Sequence, residues 1–267
     1  MLVNGRVTLC CGEFLRQELE TMLVQHGGLT IMDIVDPSFT EDFVIAAIEV
    51  VIVRTLSRWC DIETSAHAQR LAGLAEAVGI SMHLEKRELR LLRLAALLHD
   101  IGKVAIPEAI LQKKGPLDHD ELTLMRLHPE LGRAILRHAG GLFEQIAFLV
   151  VAHHEAWDGG GYPIGLVGNE IPLLARILAV VDSYDAMTSY RVYAKTLSGL
   201  QACQELLRCA GYQYDPLVVD AFLRLLACLP CELEGQRSGM LFHLPWRKAY
   251  LIMVHELDDA ILGKVAQ

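Results

Sequence analysis

No segment of the 267-residue chain reaches the roughly 18–20 consecutive apolar residues that a membrane-spanning helix needs. The nearest, Phe43 to Val53, is interrupted by Glu49 and stops at Arg54. The opening "MLVNGRVTLCCGEF" lacks the charged, apolar and cleavage-site order of a signal peptide. With 52% hydrophobic residues, a cytoplasmic protein with a large core is expected, along with a homodimer that buries part of the apolar surplus. Positive charge is also scarce. A formal net charge of −9 argues against DNA or RNA polymers as partners, because these need a basic footprint. It does not exclude a small anionic substrate, since bound metal ions can dominate a local field. Repeats and low-complexity segments are absent. The one C-x-x-C, Cys228-Leu-Pro-Cys231, has no second pair and no clear βαβ context, so the seven cysteines read as reduced thiols.

What is present falls into three parts. Residues 1–40 read as a small α/β appendage, a cap or the remnant of a sensory domain. There "RVTLCC" and "LTIMDIV" are β-like, and "FLRQELETMLVQH" between them is helix-like, stopped by Gly27-Gly28. Residues 41–228 are helical almost throughout, with helices expected over 41–59, 62–79, 86–101, 118–126, 129–138, 142–155, 172–188, 199–210 and 216–228. Ser198-x-x-Gln201 is a capping-box pattern, and Asp215-Pro216 places a cap before a proline at the first helical position. Gly79 is expected to stop the second of these helices. Two loops intervene, "KKGPLD" (113–118) and "DGGGYPIGLVGNEIP" (158–172). The longer one is rich in Gly and Pro, and such loops more often carry function than packing. Residues 229–267 form an extension in which "GMLFHL" and "AYLIMVHEL" fit strands or a final helix.

Histidines and carboxylates recur along the helical part. Glu63 and His67 are four residues apart and face one side of a helix. In "LLHDIGK" (97–103), His99 and Asp100 are adjacent at the end of a Leu/Ala-rich run, with Lys103 three residues beyond. His128 precedes Pro129, His153 and His154 are adjacent and followed by Glu155, and Asp182 is set in the apolar "ILAVVDSYDAM". Adjacent helical residues point about 100° apart, so His99 and Asp100 cannot serve one ion in the same way. A carboxylate can bridge two ions with its two oxygens, leaving His99 to bind one of them from the side. His153 and His154 likewise diverge and can serve different ions. Carboxylates in an apolar helix are costly unless paired or metal-bound, and imidazole with carboxylate suits first-row transition metals. Two ions about 3.5–4 Å apart form a clamp for in-line displacement at phosphorus, with a bridging hydroxide as nucleophile. Lys103 would offer a point charge to a phosphate oxygen. His26, His83, His119, His138, His243 and His255 stand alone and read as ordinary core or surface residues.

These residues and their surroundings resemble the HD-GYP phosphodiesterases, a branch of the HD superfamily. The matching pieces are "HDIGKVAIPEAIL" (99–111), "HPELG" (128–132), "HHEAWDGGGYPIGL" (153–166) and "IPLLARILAVVDSYDAMTS" (171–189). "ETSAHAQRLAGLA" (63–75) looks like the helix that opens the domain, and the resemblance covers about residues 41–225. It implies an all-α helical bundle and a centre of two or three divalent transition-metal ions, iron or manganese being favoured. It also implies hydrolysis of the cyclic dinucleotide cyclic di-GMP to linear pGpG or GMP. By position, His67, His99, Asp100, His128, His153, His154 and Asp182 match the family's metal ligands. Glu63 matches the extra ligand of members that look trinuclear, and Lys103 the phosphate-contacting lysine. Tyr162 belongs to the loop that shapes the substrate mouth.

The chain departs from the family pattern in two places. Gly160 stands where the family commonly has serine. After Asp182, where members often read R-P-Y-K, this chain reads "RVYAK" (191–195). Arg191 and Tyr193 remain as substrate contacts, but Ala194 holds the lysine position and Lys195 is displaced by one. On a helix that swings the charge by up to about 100°, which points to altered binding of cyclic di-GMP or to a related cyclic dinucleotide. The alternative is a receptor without turnover, or a module that engages a diguanylate cyclase through the GYP loop. Near the site, Arg176 and Asp185 are expected to pair in the core, and Trp157 to pack beside the loop. Glu155 fits either an orienting partner for a histidine or an exposed position.

Overall fold

Apolar residues spaced three and four apart make the first helix, α1 (Ile62–Ser81), and bury its Ala68, Leu71, Ala72, Ala75 and Val78. The computed structural model of the protein describes residues 62–139, 141–189 and 196–228. The appendage over 1–40, the helix expected over 41–59, the Glu63 side chain, Arg191, Tyr193 and the extension over 229–267 lie outside the described residues. Gly79 does not stop α1, which runs on to Ser81. The stop is His83, in the left-handed region at φ 59°. Its N–H bonds the Ile80 carbonyl at 3.0 Å and the Leu84 N–H bonds the Gly79 carbonyl at 2.9 Å, the paired pattern of a Schellman cap. Gly79 instead gives room to the next helix, because a Cβ there would lie 2.6 Å from Leu89 Cδ2.

That helix, α2 (Lys86–Leu98), lies against α1 and buries Leu92 and Leu94 to Leu98. It ends three residues before the expected 101, because the chain tightens into a 3₁₀ helix over Ile101–Ala105. This turn lies directly on a later helix: a Cβ on Gly102 would sit 1.9 Å from the His128 carbonyl oxygen. α3 (Glu108–Leu111) is a single turn that the sequence pattern did not suggest. α4 (His119–Met125) opens on a capping box in which Asp118 and Glu121 each accept the other's backbone N–H. α5 (His128–Ala139) and α6 (Leu142–Val151) pack on each other, and α5 carries the 3₁₀ helix. α6 ends at Val151 rather than at 155, so His153, His154 and Glu155 sit in the turn after it.

α7 (Leu173–Thr188) is the hub and touches α1, α2, α6, α8 (Gly199–Cys209) and α9 (Pro216–Cys228). Its Ile177, Leu178, Val180, Val181 and Tyr184 are buried, and Tyr184 meets Phe222 of α9 edge-on at 5.0 Å. α8 has the expected Ser198/Gln201 capping box. At the start of α9, Asp215 caps the Leu217 N–H at 2.8 Å with one oxygen and holds Arg176 at 2.6 Å with the other. Arg176 therefore pairs with Asp215 and not with Asp185. Asp185 points the opposite way, towards α1, where Arg70 grips it with two bonds of 2.9 Å. Among the described residues there is no strand, only an isolated bridge between Ala210 and Tyr214, and no helix long and apolar enough to cross a membrane. The described residues form an all-α fold.

Candidate metal centre

Three helices end in the same way. His99 follows α2, His128 follows α4 and His153 follows α6, and each places Nδ1 near a carbonyl three residues back. The distances are 2.8 Å to Ala96, 2.9 Å to Met125 and 2.5 Å to Val150. A carbonyl only accepts, so Nδ1 carries the proton in each ring and Nε2 presents a lone pair. The contact also satisfies a helix-end carbonyl that would otherwise lack a partner. All three imidazoles are 2% exposed. Their lone pairs converge: His128 Nε2 and His153 Nε2 are 3.4 Å apart, and buried His99 Nε2 has no hydrogen-bond partner. Facing lone pairs and an orphaned buried nitrogen are unfavourable alone and become favourable around a cation.

The remaining candidates complete two groups of three donor residues. His67 from α1, His99 and Asp100 form one; His128, His153 and His154 form the other, with the ligand atoms of each group within 4.8 Å of one another. Asp100 lies between them. Its Oδ2 is 3.3 Å from His99 Nε2 and its Oδ1 is 3.4 Å from His128 Nε2, so one carboxylate oxygen faces each group. Asp182 of α7 closes the first group, 3.3 Å from His67 Nε2 and 3.9 Å from His99 Nε2. His67 is aimed from behind by Asp185, 2.6 Å from its Nδ1, in a carboxylate–histidine arrangement common behind metal ligands. Glu63 lies one turn before His67 on α1.

The electrostatics differ between the two groups. Burial acts to lower the pKa of His67, but hydrogen bonds and charge from Asp182 and Asp185 outweigh it and raise the group to about 9. Burial likewise opposes charge on His99, and Asp100 with Asp182 overcomes it. Asp100 and Asp182 are held well below the usual carboxylate range: burial alone would raise them, but His99, Lys103 and His128 hold down Asp100, and His67 and His99 hold down Asp182. The carboxylate side thus attracts positive charge. On the other side, burial depresses His128 and His153, and burial plus the nearby His128 brings His154 to about 4. These rings are neutral, the form in which imidazole ligates metals. Imidazole with carboxylate fits a divalent first-row ion, and both groups of this cluster offer that set.

Beside the cluster opens a cleft of about 490 Å³, within the range of small-molecule sites. His153, His154 and Asp182 are among its lining residues, and Tyr162 stacks on His154 at 4.9 Å with the rings 23° apart. Lys103 reaches the cluster itself, with Nζ 2.5 Å from Asp100 Oδ2. Glu155 is neither exposed nor a histidine partner. It is 4% exposed and accepts the backbone N–H groups of Ile164, Gly165 and Leu166 at 2.7, 3.0 and 3.0 Å, folding the loop around one buried carboxylate. Trp157 packs under Arg176, 5.6 Å from ring to guanidinium, and its backbone N–H donates to the Gln213 carbonyl. Several cleft residues were not suggested by the sequence pattern. Tyr212 and Gln213 come from the α8–α9 loop and carry no local signal; Arg126 lies two residues before His128 and could have been found as a cation beside a ligand position.

The chain resembles a cyclic di-GMP phosphodiesterase response regulator, RpfG, from Xanthomonas campestris pv. campestris, 43% identical over 176 residues, which are 66% of this chain and 46% of the relative. A cyclic di-GMP phosphodiesterase of Thermotoga maritima is 39% identical over 186 residues, 69% of this chain and 50% of the relative. A 3'3'-cGAMP-specific phosphodiesterase 2 of Vibrio cholerae is 39% identical over 176 residues, 63% and 34% respectively. The chain thus spans half or less of the length of these relatives. Among solved structures, Bd1817, an HDG"Y"P protein from Bdellovibrio bacteriovorus, shares the fold at a TM-score of 0.52 and 16% identity, covering 81% of this chain and 70% of that one. The family model described as HD domain matches residues 61–218, more than half of the sequence and every described member of the cluster, and the chain belongs to the HD domain family.

Proposed function

We propose that the protein is a metal-dependent phosphodiesterase that opens a cyclic dinucleotide to its linear form. The observation that carries this reading is Asp100, whose two oxygens face two separate groups of buried ligands at 3.3 and 3.4 Å. Under this reading His67, His99, Asp100 and Asp182 would hold one divalent ion, and Asp100, His128, His153 and His154 would hold a second. Glu63, one turn before His67 in the sequence of α1, would add a ligand for a third. The donor set accepts divalent first-row ions generally, and it is the resemblance to the HD-GYP phosphodiesterases that points to iron or manganese. When bound, such a pair supplies Lewis-acid stabilisation of a phosphodiester and a water of lowered pKa.

The rest is work for the chain's own side chains. The Nδ1–carbonyl bonds of His99, His128 and His153 fix their rings so that no reorganisation is needed at the moment of reaction. Lys103, half-exposed and beside Asp100, brings a positive charge to a phosphate oxygen at the edge of the cluster. Tyr162 covers His154 and forms one wall of the cleft, and the Glu155-centred loop holds that wall in place. Relatives are named for cyclic di-GMP and for 3'3'-cGAMP, so both are substrates to test.

The test is Asp100→Ala in protein purified without oxygen. The variant is expected to lose both bound metal, by elemental analysis, and formation of linear product from either cyclic dinucleotide. Turnover that survives in a metal-depleted Asp100→Ala protein overturns the reading. Tight nucleotide binding by the metal-loaded wild type with no linear product would make it a receptor instead.

A further inference from the structure

A cyclic dinucleotide has two phosphodiesters, on opposite sides of its macrocycle. The metal cluster with Lys103 accounts for one of them, and the other needs a cation elsewhere in the cleft. Arg126 lines the cleft with His153, His154 and Tyr162. It is exposed, just past the end of α4, and its guanidinium lies 5.3 Å from the centre of the Tyr162 ring. Tyr162 in turn stacks on His154, so Arg126 stands one aromatic ring away from the cluster. Among the described residues no carboxylate pairs with Arg126, whereas Arg176 is neutralised by Asp215 and Arg208 by Glu205. An arginine lying on an aromatic face keeps its planar fork of N–H donors directed outward, and that fork matches phosphate oxygens.

We propose that Arg126 is a substrate-binding residue that holds the second phosphodiester, the one not undergoing hydrolysis. This rests on the phosphodiesterase reading above and deepens it. It also explains how a chain with Ala194 in the lysine position of the R-P-Y-K segment can still hold a doubly charged ligand, since Arg126 supplies a cation from outside that segment.

Three measurements on the metal-loaded 267-residue chain test it. Arg126→Met keeps an apolar cover on Tyr162 and removes the charge; Arg126→Lys keeps the charge. With cyclic di-GMP, Arg126→Met is expected to raise KM about tenfold or more with kcat little changed, the loss typical of one charged hydrogen-bond pair, and Arg126→Lys to recover part of it. With bis(p-nitrophenyl) phosphate, which has a single phosphodiester, Arg126→Met should match wild type. With 3'3'-cGAMP the penalty should equal that for cyclic di-GMP, because the phosphate is common to both. An unchanged KM for cyclic di-GMP, or an equal loss on the single-phosphodiester substrate, overturns the proposal. A penalty confined to guanine-rich ligands also overturns it, by assigning Arg126 to a base edge. If wild type neither binds nor cleaves any cyclic dinucleotide while still cleaving the nitrophenyl ester, the cyclic-dinucleotide substrate class is what fails, and the role of Arg126 with it.

Discussion

His99, His128 and His153 each close a helix end with Nδ1 and offer Nε2 to the interior, so one hydrogen bond per residue fixes both tautomer and aim. Glycine decides how close these ends come. A Cβ at Gly102 would meet the His128 carbonyl oxygen at 1.9 Å and the Gly132 nitrogen at 2.5 Å, both backbone atoms that cannot turn aside. Gly102→Ala is therefore expected to cost at least about 1–3 kcal/mol in urea unfolding and to lower metal content by pushing His128 away from Asp100. Gly160 contrasts with it: a Cβ there meets only the Asp158 side chain, 3.1 Å away, which can rotate. Gly160→Ser should stay within about 0.5 kcal/mol of wild type and leave activity intact. If the two variants prove equally stable, the close approach of the 3₁₀ helix to α5 is not what holds the histidine. The sequence pattern marked Gly160 as a departure, yet it could not rank the two, since the neighbour that matters at Gly102 is 26 residues away.

At the scale of elements, the loop between α6 and α7 shows what local pattern leaves open. Its Gly and Pro content marked it as functional, and Tyr162 does form the cleft wall. The role of Glu155 was not legible, because its partners are backbone amides nine to eleven residues on, and a backbone amide carries no sequence signature. With both oxygens used and little exposure, this carboxylate substitutes for the loop's missing regular structure. Glu155→Ala is expected to speed hydrogen exchange at Ile164, Gly165 and Leu166 on the order of tenfold or more, and to raise KM before it lowers stability. Unaltered exchange at those three amides would mean that other contacts set the loop. The helix boundaries tell a similar story. α2 and α6 stop three and four residues short of the period-based expectation because their last carbonyls are taken up by histidine side chains rather than by another helical turn.

For the whole molecule, the cluster acts as a cross-link. Its residues come from α1, the end of α2, the start of α5, the end of α6 and the middle of α7, so an ion held there ties together elements up to 115 positions apart, as His67 and Asp182 are. Without an ion, the folded state carries facing imidazole lone pairs and buried carboxylates that the unfolded chain leaves in water. Binding to the folded form alone at about 100 times Kd adds about 2.7 kcal/mol. Chelation should then lower Tm by on the order of 5–10 °C, reversed by adding back manganese or ferrous iron and absent in Asp100→Ala. A Tm indifferent to chelator in protein shown to contain metal would contradict the cross-link.

The sequence by itself determined the all-α class, the capping signals at Ser198 and Asp215, and which histidines and aspartates would gather. Those depend on local periodicity, cap chemistry and a motif whose spacing is kept along the chain. Tertiary structure alone decided the pairings. It sent Asp185 to Arg70 and His67, gave Arg176 to Asp215, buried Glu155 under its loop and brought Arg126 over Tyr162. The physical reason is that a charge is read from one residue, while its partner is set by how α7 lies between α1 on one side and α9 on the other.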